Sequence, residues 1–306
     1  MNKIFRLYQV DSFTKEKFTG NPAGVITNAD GLSELQMQKI ARELNNSETA
    51  FIFNSFNEDY DVHIRFSTPS NEVPICGHAT IAAHYSRALE NQLDSTRILQ
   101  KTGAGILPVD IIQKDNDYDI VMTQGKIEVE EPLNQEYQER LFHALGISKE
   151  EIRTDCPIAI ASTGHSKAMI GITKLSTLHN ISPNLSELSS ISQEIGCNGY
   201  YVFTLHNEKQ NIETLQVNGR MFAPAIGISE DPVTGNANGP LGAYLVHYKL
   251  VPIHNSELVF GAVQGEAIGR KGRMVVKVII LEGKPIEVKI VGQAVVAFSS
   301  TIEIEC

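Results

Sequence analysis

Residues 1–10 alternate apolar and polar side chains and lack the continuous apolar core of a signal peptide, so they predict an opening strand. Strand-like runs recur at 23–26, 50–53, 62–66, 106–112, 120–122, 158–162, 169–172, 200–205, 259–262, 274–281 and 287–298. Helical periodicity is rarer. It follows Ser33 (Leu35, Met37, Ile40, Ala41, Leu44) and Gly77 (Ile81, Ala82, Tyr85, Leu89), spans 135–145 and 185–195, and follows Pro240 (Leu241, Tyr244, Leu245, Tyr248). Many strands with a few helices that do not alternate strictly imply an α+β fold rather than a doubly wound parallel sheet.

The two halves of the chain echo each other. Glu72-Val73-Pro74-Ile75-Cys76-Gly77-His78-Ala79 aligns with Glu230-Asp231-Pro232-Val233-Thr234-Gly235-Asn236-Ala237, sharing Glu, Pro, Gly and Ala. Each octet follows an arginine-bearing strand (Arg65, Arg220) and a proline (Pro69, Pro224), and each precedes a helical run. Further on comes a Gly-led strand signal, at Gly103 to Leu107 and at Gly265 to Gly269. Such a duplication predicts two similar lobes facing each other across a cleft. With about 150 residues per domain as a guide, the lobes are expected at 1–125 and 126–306.

In each octet a glycine-containing turn runs into a helix whose first amides lack intrahelical partners and carry partial positive charge. Two such termini can hold a carboxylate, although a plain strand-to-helix turn has the same pattern. Glu48, in Asn46-Ser47-Glu48-Thr49-Ala50-Phe51, stands at the mouth of an apolar strand. Partial desolvation there would suit it to proton transfer, and a solvated loop acid is the alternative. Asp231 before Pro232 is also an ordinary turn former, and Cys76 also fits a small buried apolar residue. Cys76 and His78, two apart at a helix start, are expected to point away from each other, which disfavours a thiol–imidazole pair. Cys76, His78 and His84 form one short cluster with no second pair at ligand spacing, so no metal is expected.

Composition narrows the partners. The 306 residues carry 26 Lys and Arg against 36 Asp and Glu, a net charge of −10, with 42% hydrophobic residues and no tryptophan. Without a basic run, nucleic acid is not an expected partner. No stretch approaches the roughly 18 apolar residues of a membrane helix. Four scattered cysteines, Cys76, Cys156, Cys197 and Cys306, read as reduced thiols of a cytoplasmic protein.

Together these stretches resemble the PhzF-like family of phenazine-biosynthesis isomerases, which shares the diaminopimelate epimerase fold. The resemblance rests on Asp11-Ser12-Phe13, Phe18-Thr19-Gly20-Asn21-Pro22-Ala23-Gly24-Val25, Asn46 to Phe51, Arg65 to Pro69, Glu72-Val73, Cys76 to Thr80, Glu230 to Gly235, Gln264-Gly265 and Gly269-Arg270. It covers nearly the whole chain in order. It implies two lobes related by a pseudo-two-fold axis, each a curled, mostly antiparallel sheet around a central helix, the first lobe completed by a last strand at about 290–306. It places the general acid/base on Glu48 and cleft groups on His78 and Asp231, and it implies no cofactor and often a homodimer. In the phenazine branch the reaction moves a proton along a cyclohexadiene carboxylic acid. That branch usually has Ser after Thr-Gly, where this chain has Asn236, and Thr234 stands opposite Cys76 where a two-thiol epimerase would carry a second cysteine.

The expected function is therefore a cofactor-independent isomerase shifting a proton on a small cyclic or amino-acid-like carboxylate bound between the lobes. Glu48, His78 and Asp231 are its expected catalytic residues, and Cys76, Gly77, Ala79, Thr234, Gly235 and Asn236 its expected substrate contacts. Two alternatives stand beside it: a one-cysteine epimerase using Cys76, and a binding protein on the same scaffold.

Overall fold

A computed structural model describes residues 2–55, 58–207 and 215–305; Cys306 lies outside them. The elements in the first part of the chain are β1 (Asn2–Ser12), β2 (Asn21–Ile26), α1 (Glu34–Leu44), β3 (Thr49–Asn54), β4 (Val62–Ser67), β5 (Glu72–Val73), α2 (Gly77–Asn91), β6 (Thr96–Thr102), β7 (Gly105–Lys114) and β8 (Asp117–Thr123). They continue with β9 (Glu128–Pro132), α3 (Gln135–Leu145), β10 (Ala159–Ser162), β11 (Lys167–Gly171), α4 (Leu175–Asn180), α5 (Leu185–Ile195), β12 (Tyr200–Asn207) and β13 (Leu215–Ala223). The last are β14 (Ile228–Asp231), α6 (Gly235–His247), β15 (Glu257–Gln264), β16 (Gly272–Leu281), β17 (Lys284–Gly292) and β18 (Ala294–Glu305). The fold is α+β, built as two compact units: residues 1–123 with 291–306, and residues 124–290.

In the first unit β18 pairs with β1 and β1 with β2 antiparallel, β2 with β3 parallel, β3 with β4 antiparallel, β4 with β6 parallel, and β6 with β7 antiparallel. The second unit repeats this sequence of directions from β9 and β10 through β11, β12, β13 and β15 to β16. The two-residue β5 lies antiparallel on the end of β4, and β14 does the same on β13. The echo in the sequence is thus an echo in strand order. Each repeat places one helix, α2 or α6, directly after its short strand.

Both helices are central. Eleven residues of α2 are buried, and it touches β1, β2, β3, β7, β8 and β18. Eleven residues of α6 are buried against β9, β10, β11, β15 and β16. A helix apolar or small on every face must be enclosed, and that explains their weak amphipathic patterning. The other helices are amphipathic and pack on the outer sheet faces. In the first unit Met37 and Ile40 of α1 join Phe5, Ile26 and Phe51. In the second, Leu141 of α3 and Leu188 and Ile191 of α5 join Ile160, Ile170, Val202 and Phe222.

Several elements differ from the sequence expectation. The run over 287–298 is two strands, β17 and β18, interrupted at Gln293. The strand expected at 23–26 begins two residues earlier, at Asn21, because Ser12 and Asp11 pair with Asn21 and Pro22. Residues 265–269 form a turn rather than a strand, since Gly265 and Gly269 adopt φ +83° and +68°; the true counterpart of β7 is β16, which begins at Gly272. Helix α6 starts at Gly235, with Pro240 inside it. No described helix is long and apolar enough to cross a membrane.

Candidate active site

In the first unit α1 begins with a capping box, Ser33 accepting from the Gln36 amide and Gln36 accepting from the Ser33 amide. It ends at Asn45, in the left-handed conformation with φ 52°. The turn that follows is held by a reciprocal pair of amide hydrogen bonds, Gln9 Nε2 to Asn46 Oδ1 at 2.9 Å and Asn46 Nδ2 to Gln9 Oε1 at 2.8 Å. Ser47 and Glu48 therefore leave the helix in a fixed direction before β3. Gly24 lets β2 approach here, because a Cβ on it would lie 2.6 Å from Leu44 Cδ1 and 2.9 Å from Thr49 Oγ1. The Gly24 amide donates to the Glu48 carbonyl at 3.3 Å.

The start of α2 is fixed from another direction. Arg65 on β4 makes a two-pronged contact with Glu72 on β5, at 2.8 and 2.5 Å, which holds the short strand in place. The same guanidinium keeps the Glu72 carboxyl below the ordinary carboxylate range. Four residues beyond Glu72, Cys76 is the N-cap of α2, and Ser12 Oγ donates to the His78 carbonyl at 2.7 Å. His78, Glu48 and Cys76 converge at this helix terminus. His78 Nε2 is 3.4 Å from Glu48 Oε2 and 3.4 Å from Ser47 Oγ, and its Nδ1 is 3.4 Å from Cys76 Sγ. His78 and Cys76 are buried and Glu48 nearly so, with 15% of its side chain exposed.

The thiol and imidazole therefore do meet, contrary to the helical-wheel expectation. Cys76 is not helical: with φ −143° and ψ 125° it is extended, so the wheel does not apply and its side chain folds over the first turn. A third residue with a ligand-type atom, Glu48, joins this pair from a different element, a grouping that sequence spacing does not display. His84 takes no part. It is fully buried and bonded to Gln100 through Nε2 at 2.9 Å. Gly77 and Ala79 complete the turn, and a Cβ on Gly77 would meet no atom within 4 Å, so there is room at the helix start.

The second unit has the matching construction with different chemistry. Arg220 on β13 grips Glu230 on β14 at 2.9 and 2.7 Å, as Arg65 grips Glu72. Thr234 is the N-cap of α6, but its hydroxyl donates to Asp231 Oδ2 instead of capping the helix. Gln264 Nε2 donates to the Asp231 carbonyl at 2.7 Å and to Thr234 Oγ1 at 3.1 Å, while its Oε1 accepts from the Thr234 amide at 3.2 Å and from Asn238 Nδ2 at 3.1 Å. Tyr201 OH closes the network on Asn238 Oδ1 at 2.6 Å, and burial pushes the Tyr201 phenol up from its usual range. This web fixes the Asp231 carboxylate beside the turn of Gly235 and Asn236. The side chain of Asn236 is half-buried and has no hydrogen-bond partner among the described residues.

The strand registers align the units residue by residue. Phe51 opposes Arg65 and Val202 opposes Arg220, so with the arginines equated Glu48 corresponds to Gly199. A Cβ on Gly199 would lie 2.6 Å from the Phe222 carbonyl oxygen, so that position takes no side chain. The second unit contributes a buried lysine instead. Lys167 on β11 is 3% exposed, and its ammonium donates to the Ser166 carbonyl at 3.1 Å. Burial depresses its pKa to about 8, opposed by the Cys197 thiol and the Asp231 carboxylate. Ser47, Lys167, Asn238 and Gln264 were not singled out as site residues from sequence. Gln264 had a signal in the Gln264-Gly265 pair; a lysine opening an apolar strand gives little warning of deep burial.

The whole chain has close counterparts among known proteins. The profile of the family described as phenazine biosynthesis-like protein matches residues 10–300. An uncharacterized isomerase of Clostridium acetobutylicum is 61% identical over 302 residues, covering 99% of both chains. The trans-2,3-dihydro-3-hydroxyanthranilate isomerase of Pseudomonas aeruginosa is 29% identical over 271 residues, 89% of each chain. The crystal structure of the Bacillus anthracis phenazine biosynthesis protein of the PhzF family superposes with a TM-score of 0.86 at 29% identity, covering 98% of this chain and 99% of that one. The profile match over nearly the whole chain, relatives named isomerases and a solved member with the same fold thus identify this chain as an enzyme of the phenazine biosynthesis-like (PhzF) family of isomerases.

Proposed function

We propose that the chain catalyses a cofactor-independent proton shift on a small cyclic carboxylate, with Glu48 as the group that takes and returns the proton. The observation carrying this reading is the contact between the Glu48 carboxylate and His78 at the N-terminus of α2, 3.4 Å apart and shielded from bulk water. Glu48 would remove a proton from an sp³ carbon conjugated with the substrate carboxylate. The C–H electron pair then moves into the conjugated system, and negative charge grows on the carboxylate. First-turn amides of α2 suit that charge, since they carry partial positive charge and no intrahelical acceptor. Return of the proton to a different carbon completes the isomerisation. His78 would orient the Glu48 carboxylate and share the proton. Asp231, fixed by Thr234 and Gln264, is the candidate second acid/base group, with Thr234, Gly235 and Asn236 as candidate substrate contacts. The relative named for trans-2,3-dihydro-3-hydroxyanthranilate supports a cyclic amino-carboxylate as the first substrate to assay.

The decisive variant is Glu48→Gln, which keeps the shape and removes the exchangeable acid. Turnover should fall by roughly 10²–10⁴, the usual worth of a general acid/base, with ligand affinity and melting temperature nearly unchanged. Deuterium incorporation from solvent, followed by NMR, reads the step directly. Exchange at near wild-type rate in the Gln variant would show that Glu48 is not the base.

A second reading has a specific observation behind it. The Cys76 thiol lies 3.4 Å from His78 Nδ1, the arrangement of an activated thiol, and would serve a one-cysteine epimerase. Inversion of a stereocentre without double-bond migration would distinguish it.

A further inference from the structure

The Glu48, His78 and Cys76 cluster offers nitrogen, sulfur and oxygen donors whose ligand atoms all lie within 4.8 Å of one another. Tetrahedral zinc binds sulfur at about 2.3 Å and nitrogen or carboxylate oxygen at about 2.0–2.2 Å, which sets donor atoms about 3.3–3.6 Å apart. Two separations in the cluster, Sγ to Nδ1 and Nε2 to Oε2, are both 3.4 Å. They involve opposite ring nitrogens, so a single ion requires the imidazole to turn until one nitrogen faces both the thiol and the carboxylate. The three residues come from two separately anchored backbone segments, the turn before β3 and the N-cap of α2, so the donors are gathered before any ion arrives. Three protein donors with a fourth position left open are the pattern of an accessible zinc site rather than of a closed structural one.

We propose that this cluster is a binding site for a thiophilic divalent cation of the zinc class, and that the bound ion inhibits the enzyme. On binding, the Cys76 thiol releases its proton to solvent and a sulfur–metal bond forms, while the Glu48 carboxylate and one His78 nitrogen donate lone pairs. Glu48 can then no longer accept a substrate proton. The inhibitory half rests on the proposed role of Glu48; the binding half does not.

Cobalt(II) is the probe, because a cobalt–thiolate bond adds near-ultraviolet absorption that zinc lacks. Titrating the full-length protein with Co²⁺ should give that absorption at one equivalent, and Zn²⁺ should abolish it by displacement. Cys76→Ala should eliminate the band, Cys76→Ser should weaken Zn²⁺ binding in calorimetry by at least about tenfold, and both variants should keep the wild-type circular dichroism. Absence of the band in the wild type, or an undiminished band in Cys76→Ala, overturns the site. Deuterium exchange on the cyclic amino-carboxylate should cease at one equivalent of Zn²⁺ and return with a chelator. Exchange that persists with zinc bound overturns the inhibition. A protein that binds cobalt through Cys76 but shows no exchange even without metal would fail the isomerase reading and leave the site standing.

Discussion

His78 depends on neighbours at both ring nitrogens, the Glu48 carboxylate and Ser47 hydroxyl at Nε2 and the Cys76 thiol at Nδ1. In the proposed isomerase mechanism the thiol would help to hold the ring and would not carry the proton. Cys76→Ser should accordingly keep turnover within about tenfold of wild type, whereas removing a true acid/base group costs roughly 10²–10⁴. A loss of a thousandfold in steady-state kinetics, with the fold intact, would favour the thiol epimerase. A second residue-scale comparison concerns the two arginines. Arg220 and Glu230 are 8% and 12% exposed, and Arg220 Nη1 also donates to the carbonyls of Leu178 and Ile181 at 3.1 and 2.7 Å. Arg220→Met strands a buried carboxylate and should destabilise by about 3–5 kcal/mol in denaturant titration. Arg65 and Glu72 are 22% and 45% exposed, so Arg65→Met should cost about 1 kcal/mol or less.

At the scale of the element, the central helix α2 has a pH dependence built into it. His84 is fully buried, and desolvation, helped by nearby Arg87, lowers its pKa from 6.5 to about 4 despite the bond to Gln100. The folded protein thus keeps His84 neutral where the unfolded chain protonates it. Stability from this residue is complete above about pH 6.5 and is lost as the pH falls towards 4, by on the order of 3 kcal/mol in all. Melting temperatures of the wild type and His84→Gln should converge over that interval; a parallel decline would assign the acid sensitivity to other groups. The elements also show what the sequence could reveal. The octet echo was legible because its two glutamates are the partners of Arg65 and Arg220, so local sequence and long-range contact coincide. The strands β5 and β14 were not, since two and four residues are too few to show a period. The meeting of Cys76 with His78 was hidden by treating an extended cap residue as helical. Lys167 and Gln264 take their places through strand pairing across long stretches of chain, and no local pattern records that.

For the whole molecule, the chain's last strand matters more than its position suggests. β18 returns to pair with β1 from Asn2–Glu305 to Ser12–Ala294, with one register shift at Gln9 and Val10. Deleting residues 294–306 would bare the full length of β1 as an unpaired edge, a template for aggregation. The truncated protein should lose protection at the β1 amides that faced β18 and become aggregation-prone, while hydrogen exchange in the core of the second unit, around Val202 and Leu188, changes little. Uniform loss of protection over both units would mean that they unfold as one cooperative body.

Glycine at 199 carries a historical consequence. If the two units descend from one duplicated ancestor, the copy holding Glu48 and the copy holding Gly199 were once interchangeable. They no longer are, because the backbone of β13 has closed to within 2.6 Å of where a side chain at 199 would begin. Mutation alone cannot hand the proton-carrying role back to the second copy; neighbouring strands would have to part first. On the proposed roles the division of labour is therefore locked in one direction, and in the second copy Asn236 is left free to vary, and so to adopt new substrates, as long as Asp231 and the groups that hold it are kept.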